Sequence, residues 1–148
     1  YCRASATLPG FMGPPVIHGV RYVDGALGPS GGIPLQIAQE DGYDKFLVIM
    51  SRERSYVKPP VARPAIMRRI FRREPAGAEA LINRPELYNA TRAELFELER
   101  QGKAILFFPD EMPLSNRERD LAKLTAAYEA GLKQAEREWP QWREFFGA

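Results

Sequence analysis

Lys45-Phe46-Leu47-Val48-Ile49-Met50 is apolar at nearly every position and rich in branched side chains. A strand with one wet face alternates polar and apolar residues. A short run without alternation predicts a strand buried on both faces, as in a parallel sheet. Ile33 to Glu40, just upstream, predicts a helix. Pro34 suits its first turn, where a missing N–H costs nothing, and Gly42 ends it. Helix, glycine and buried strand in that order are half of a βαβ unit, so the expected class is α/β.

The rest of the chain supplies further elements around this unit. Leu8 to Pro15 is punctuated by Pro and Gly too often for regular structure and predicts a loop that includes Phe11. Val16 to Val23 predicts a hairpin around His18-Gly19, and the glycine-rich stretch from Asp24 to Gly32 a second loop. Ser51 to Pro75 is a junction rich in Pro and Arg. Within it Arg63 to Arg73 predicts a short basic amphipathic helix. Pro85 to Gln101, with Gly102 as its stop, predicts a helix carrying Leu87, Tyr88, Leu95, Phe96 and Leu98. Lys103 to Pro109 predicts a strand. Asp120 is the expected N-cap of a helix from Leu121 to about Glu138, striped by Leu121, Leu124, Tyr128, Leu132 and Ala135. Pro140 is expected to interrupt it. Trp139, Trp142, Phe145 and Phe146 are expected to form an aromatic end that docks on the core.

Composition removes several classes of function. The 148 residues suffice for one domain with a modest core, and no apolar run is long enough to span a bilayer. One cysteine, Cys2, permits no internal disulfide, and with one histidine, His18, the usual zinc sites are out of reach. The expectation is accordingly no metal and no cofactor. A net charge of +2 gives no case for nucleic acid. The start at Tyr1 shows no signal peptide and enters structure at once, which reads as a fragment.

Asp24 is the first candidate for chemistry. It ends Arg21-Tyr22-Val23-Asp24 and is followed by Gly25-Ala26. A carboxylate at the end of a strand lies at the sheet edge where open α/β folds collect their sites. It can take a proton from a hydroxyl and orient it for attack. An Asp-Gly turn is the bland alternative, and on the dipeptide alone it is the commoner one. Gly28-Pro29-Ser30-Gly31-Gly32 fits a Gly-x-Ser-x-Gly nucleophile pattern literally. A nucleophile elbow, however, needs a strand running into it and a helix out, whereas Ser30 sits in a loop after proline. It reads as loop punctuation. His18 reads as a surface turn residue, Ser5 as a local hydrogen-bonding group, and Cys2 as a buried strand or helix-end residue.

The order of blocks adds to this. Arg3-Ala4-Ser5-Ala6-Thr7-Leu8-Pro9, then Gly19-Val20-Arg21-Tyr22-Val23-Asp24-Gly25-Ala26, then Ile33-Pro34-Leu35 and the apolar strand, resemble the second half of bacterial patatin-like phospholipases. Arg84 to Tyr88, Ala104 to Phe108, Pro113-Leu114-Ser115, Arg119-Asp120 and Leu124, Tyr128 and Gly131 are similar to the helical extension of one subgroup. The resemblance implies an α/β fold that is the C-terminal part of a three-layer α/β/α domain, followed by a mostly helical extension with one further strand. Residues 1–58 would be the catalytic-domain part and residues 59–148 the extension. It implies a bacterial hydrolase of lipid metabolism, a phospholipase or esterase that degrades lipids by a Ser-Asp dyad. Asp24 would be the dyad aspartate, with Gly25 and Ala26 completing the motif. The family's Gly-x-Ser-x-Gly nucleophile lies well before its aspartate, and too few residues precede Asp24 to hold it. The expected partner is therefore an N-terminal half carrying the serine, beside a lipid or ester substrate. This chain alone is expected to be inactive, and to associate through an open sheet edge and exposed apolar surface.

The second candidate is the basic helix. Arg63, Arg68, Arg69, Arg72 and Arg73 surround Ile66, Met67, Ile70 and Phe71. Such a helix suits peripheral contact with an anionic membrane surface, and Arg68, Arg69, Arg72 and Arg73 are the membrane-surface candidates. The bland alternative packs the apolar stripe on the domain and pairs the arginines with Glu74, Glu79 or other acids. The expected location is cytoplasmic, peripheral to the membrane. A non-catalytic docking module, with Asp24 a mere turn, is the other reading of the whole chain.

Overall fold

A computed structural model describes residues 1–10, 12–115 and 118–147; Phe11 of the expected loop lies outside them. The fold mixes helices with two small sheets, an α/β class. The chain forms two compact units, neither of them a single stretch: residues 1–42 with 57–94, and residues 43–56 with 95–148. Among the described residues no helix is long and apolar enough to cross a membrane.

The first unit opens with a short helix, α1 (Cys2–Ser5). Cys2 is exposed on it, not buried as expected, because Ala4 and Thr7 are the residues this segment turns inward. Strands β1 (Val16–Ile17) and β2 (Val20–Arg21) pair antiparallel. His18 and Gly19 join them with φ of 49° and 79°. Positive φ at both central residues is the turn whose twist matches a two-residue hairpin. Gly25–Leu27 forms one turn of 3-10 helix, and α2 (Leu35–Glu40) follows with Pro34 at its N-cap. Helix α3 (Pro64–Ile70) lies within the predicted basic segment.

Helix α4 (Pro75–Arg100) starts ten residues before the predicted Pro85. Pro75 takes the favoured first position, and Pro85 is accommodated inside the helix. Residues of α4 up to Glu94 belong to the first unit. They clamp the returning chain: Lys58 N donates to Asn89 Oδ1 at 2.9 Å, and Asn89 Nδ2 donates to the Lys58 carbonyl at 3.0 Å. Ile33, Leu35 and Ala78 contribute the buried apolar side chains here.

In the second unit, β3 (Phe46–Ile49) pairs in parallel with β4 (Ala104–Phe107), Phe46 opposite Ala104 and Ile49 opposite Phe107. Both strands fall within the predicted segments. Burial on both faces of β3 does not hold throughout. Phe46 is buried but Ile49 is 67% exposed, since a sheet of two strands covers only part of each face. Leu95, Leu106, Phe107 and Phe108 form the core. Phe96 and Phe108 stack with centroids 5.8 Å apart, and the Arg54 guanidinium lies over both rings while pairing with Glu99. The Glu99 hydrogen bond holds Arg54 above its ordinary pKa.

Helix α5 runs from Leu121 to Phe146, capped by Asp120, whose carboxylate accepts from Ala122 N and Lys123 N. Pro140 does not end it. The proline deprives one carbonyl of its helical partner, but the residues beyond it are anchored. Trp142 is buried and meets Phe107 edge-to-face at 5.4 Å, and Lys45 Nζ donates to the Phe145 carbonyl. Trp139 and Phe146 of the aromatic end are exposed, as are Leu121, Leu124, Tyr128 and Leu132 of the predicted stripe. The side of α5 that packs is set by Gln134 and Trp142. Gln134 Nε2 donates to the Phe108 carbonyl at 2.7 Å, and its Oε1 accepts from Asp110 N at 3.0 Å.

Candidate functional site

Asp24 follows β2 and caps the 3-10 turn after it. Its N–H donates to the Thr7 carbonyl at 2.9 Å, its carbonyl accepts from Leu27 N at 3.1 Å, and Oδ1 accepts from Ala26 N at 2.8 Å. Thr7 is fixed in turn: it is 2% exposed and its Oγ1 donates to the Arg3 carbonyl at 2.8 Å. The side chain is half-buried, and among the described residues Oδ2 has no hydrogen-bond partner. One carboxylate oxygen therefore holds the loop while the other is available.

Asp24 lines a cavity of about 420 Å³ together with Ser5, Gly25, Ser30, Ile33 and Ile37. The cavity gathers every serine weighed from the sequence, with the apolar side of the Ile33–Ile37 segment as its wall. A Cβ placed on Gly25 would lie 3.5 Å from Ser5 Oγ, so the glycine keeps the space between the hydroxyl and the turn open. No serine hydroxyl donates to Asp24 among the described residues. His18 is exposed in the hairpin turn and does not line the cavity.

The loop carrying Ser30 is seated on α4. Thr91 Oγ1 donates to the Ser30 carbonyl at 3.2 Å, and Ile33 N donates to the same oxygen at 3.3 Å. Gly31, with φ of 64°, lies so close that a Cβ there would be 2.3 Å from Tyr88 N and 2.6 Å from Tyr88 Cα. Seated after a turn, with its carbonyl in use twice, Ser30 has no strand leading into it. The roles of Thr91 and Tyr88 were out of reach of sequence reasoning, since nothing in a helix pattern says which loop it will carry.

The basic segment is divided by the fold. Arg68 Nε and Nη2 donate to Glu79 at 2.6 and 3.0 Å. The hydrogen bond from Arg68 holds the Glu79 carboxyl below the usual carboxylate range. Glu74 pairs with Arg21 at 3.2 Å instead of with an arginine of the helix. Arg69, Arg72 and Arg73 are exposed and have no ion-pair partner among the described residues. None of these arginines lines the Asp24 cavity. Among the described residues no group of three or more His, Cys, Asp and Glu side chains could hold a metal ion.

No curated protein and no solved structure matches the chain. A family model described as Domain of unknown function (DUF6363) matches residues 74–147, which is half of the chain and runs from just before α4 through α5. The chain belongs to the DUF6363 family.

Proposed function

We propose that this chain is the aspartate-bearing part of a serine lipid acyl hydrolase of the patatin-like kind, a phospholipase or esterase. Residues 1–58 are the C-terminal part of a three-layer α/β/α catalytic domain, and Asp24 with Gly25 and Ala26 is its dyad motif. The observation that carries this reading is the Asp24 carboxylate, held by Ala26 N through one oxygen, with the other unpartnered among the described residues, in a residue that lines a cavity with Ile33 and Ile37. The serine comes from a preceding segment of the longer protein.

Asp24 takes the serine proton as the serine oxygen attacks the ester carbonyl carbon. The tetrahedral intermediate collapses, the C–O bond to the alcohol breaks, and Asp24 returns the proton to the leaving oxygen. Water then attacks the acyl-enzyme, again giving its proton to Asp24, and the fatty acid leaves as the serine regains a proton. The apolar wall suits the acyl chain. Such an enzyme works in the cytoplasm at the membrane periphery.

Fluorophosphonate labelling followed by intact mass, on this chain and on the longer gene product, tests the assignment. The longer product is expected to label, this chain to stay unlabelled, and Asp24→Asn in the longer product to abolish ester hydrolysis. Asparagine keeps a side-chain oxygen for Ala26 N, so the turn survives and loss of activity reports the carboxylate itself. Labelling of this chain at Ser30 or Ser5, or full activity of Asp24→Asn, overturns the reading. A second reading, a docking module without chemistry, is favoured by the exposed isoleucines and arginines of α3, and under it Asp24→Asn is silent.

A further inference from the structure

Met67 of α3 and Phe71, the residue that caps its end, are half-buried; a Cβ on Gly10 would come 3.0 Å from the Phe71 ring. The adjoining face carries Ile66 and Ile70, one turn apart and 48% and 68% exposed. Arg69 lies in α3 three residues after Ile66, Arg63 is the N-cap residue before the helix, and Arg73 lies in the turn that follows it. All three arginines are exposed and have no ion-pair partner among the described residues. Arg68 is turned to the other side and engaged by Glu79. The apolar surface continues beyond the helix: Ile70, Met12 and Val23, the latter two 46% and 40% exposed, line one open cavity of about 450 Å³ with Arg73. The acid in that cavity, Glu74, is engaged by Arg21.

We propose that α3 and the residues flanking it dock on an anionic lipid surface, with Ile66 and Ile70 in the boundary of the acyl region and Arg63, Arg69 and Arg73 against the headgroup phosphates. Exposed isoleucines between unpaired cations match the layering of that interface, apolar below and anionic above. A polyanion such as RNA would use the arginines and leave the isoleucines in water. The proposal stands with or without the acyl-hydrolase assignment.

Co-sedimentation of the full chain with vesicles of phosphatidylcholine alone, and of phosphatidylcholine with phosphatidylserine in equal parts, tests it. Binding is expected to the second and not the first. Arg69→Gln with Arg73→Gln is expected to weaken binding about 30-fold, at about fivefold per arginine near the surface. Ile66→Ser with Ile70→Ser is expected to weaken it at least about tenfold. Arg68→Gln is expected to weaken it by about fivefold at most, well short of the Arg69 and Arg73 pair, because that guanidinium is spent on Glu79. Circular dichroism confirms that each variant keeps its helices, and Ile70→Ser alone replaces the double variant if it does not. The proposal is overturned by equal binding to both vesicles, by binding to neither, or by an Arg68→Gln loss as large as that of the Arg69 and Arg73 pair. It is also overturned if the isoleucine variants bind normally, the signature of a surface that any polyanion satisfies.

Discussion

Alanine at Gly31 should unseat the loop that walls the Asp24 cavity. Two costs combine there. The backbone is left-handed, with φ of 64°, which costs about 1–2 kcal/mol for a residue with a Cβ. The new Cβ also falls 2.3 and 2.6 Å from backbone atoms of Tyr88, inside a helix that cannot yield as a side-chain tip would. Retreat of the loop past normal contact distance adds about 1–3 kcal/mol of overpacking strain. It also gives up the Thr91 Oγ1 bond to the Ser30 carbonyl, worth about 1 kcal/mol. The expected total is about 3–6 kcal/mol. Gly42 isolates the first cost: its φ is 89°, but a Cβ there meets nothing within 4 Å, so Gly42→Ala should cost only about 1–2 kcal/mol. Urea unfolding followed by far-ultraviolet circular dichroism gives both numbers from the same chain. If the two variants are equally stable within about 0.5 kcal/mol, the loop is not seated on α4 and the cavity wall is not fixed as described.

Gln134→Leu should destabilise by about 1–3 kcal/mol, because it removes both the bond to the Phe108 carbonyl and the acceptor for Asp110 N. Gln134→Glu should be no better at neutral pH, since a carboxylate cannot donate; a neutral outcome for either in denaturant melts refutes this role. Glu79 should titrate below the ordinary carboxylate range in carbon-detected NMR, and Arg68→Gln should return it upward. Because its folded pKa is depressed, the Arg68 pair supports the fold above the unfolded carboxylate pKa and loses that support as pH falls through the lowered value. An unchanged Glu79 midpoint in Arg68→Gln would show the pair to be inconsequential.

The elements most legible in the sequence were those with a local cause. The His18-Gly19 turn, both strands of the parallel pair and the Asp120 cap each follow from a few adjacent residues. The helix limits at Pro75 and Phe146 were not legible, because each depends on whether a proline inside the helix, Pro85 or Pro140, is tolerated. Pro85 and Pro140 look like boundaries until the residues on their far sides are seen to be anchored. Burial was the hardest part. The stripe Leu121, Leu124, Tyr128 and Leu132 has helical spacing, yet the packed side of α5 is chosen by a glutamine that meets the end of β4. The same holds at the candidate site. Asp24 could be singled out from Asp-Gly-Ala, but its sharing of a cavity with Ser5 depends on α1 meeting the loop that carries Asp24 and Ser30, which no spacing rule encodes.

The way the two units interleave has a consequence for the order in which they form. The first unit needs closure only of the stretch 43–56, whereas pairing of β3 with β4 must wait until the longer stretch 57–94 is bridged. Loop entropy makes the second closure dearer by about 1 kcal/mol for a flexible chain. That longer stretch is itself part of the first unit, including most of α4. Once the first unit has condensed, the ends that the parallel strands must bring together are no longer joined by a random coil. The first unit thus acts as an internal template for the second, and anything that delays the seating of residues 25–32 on α4 should also delay the sheet.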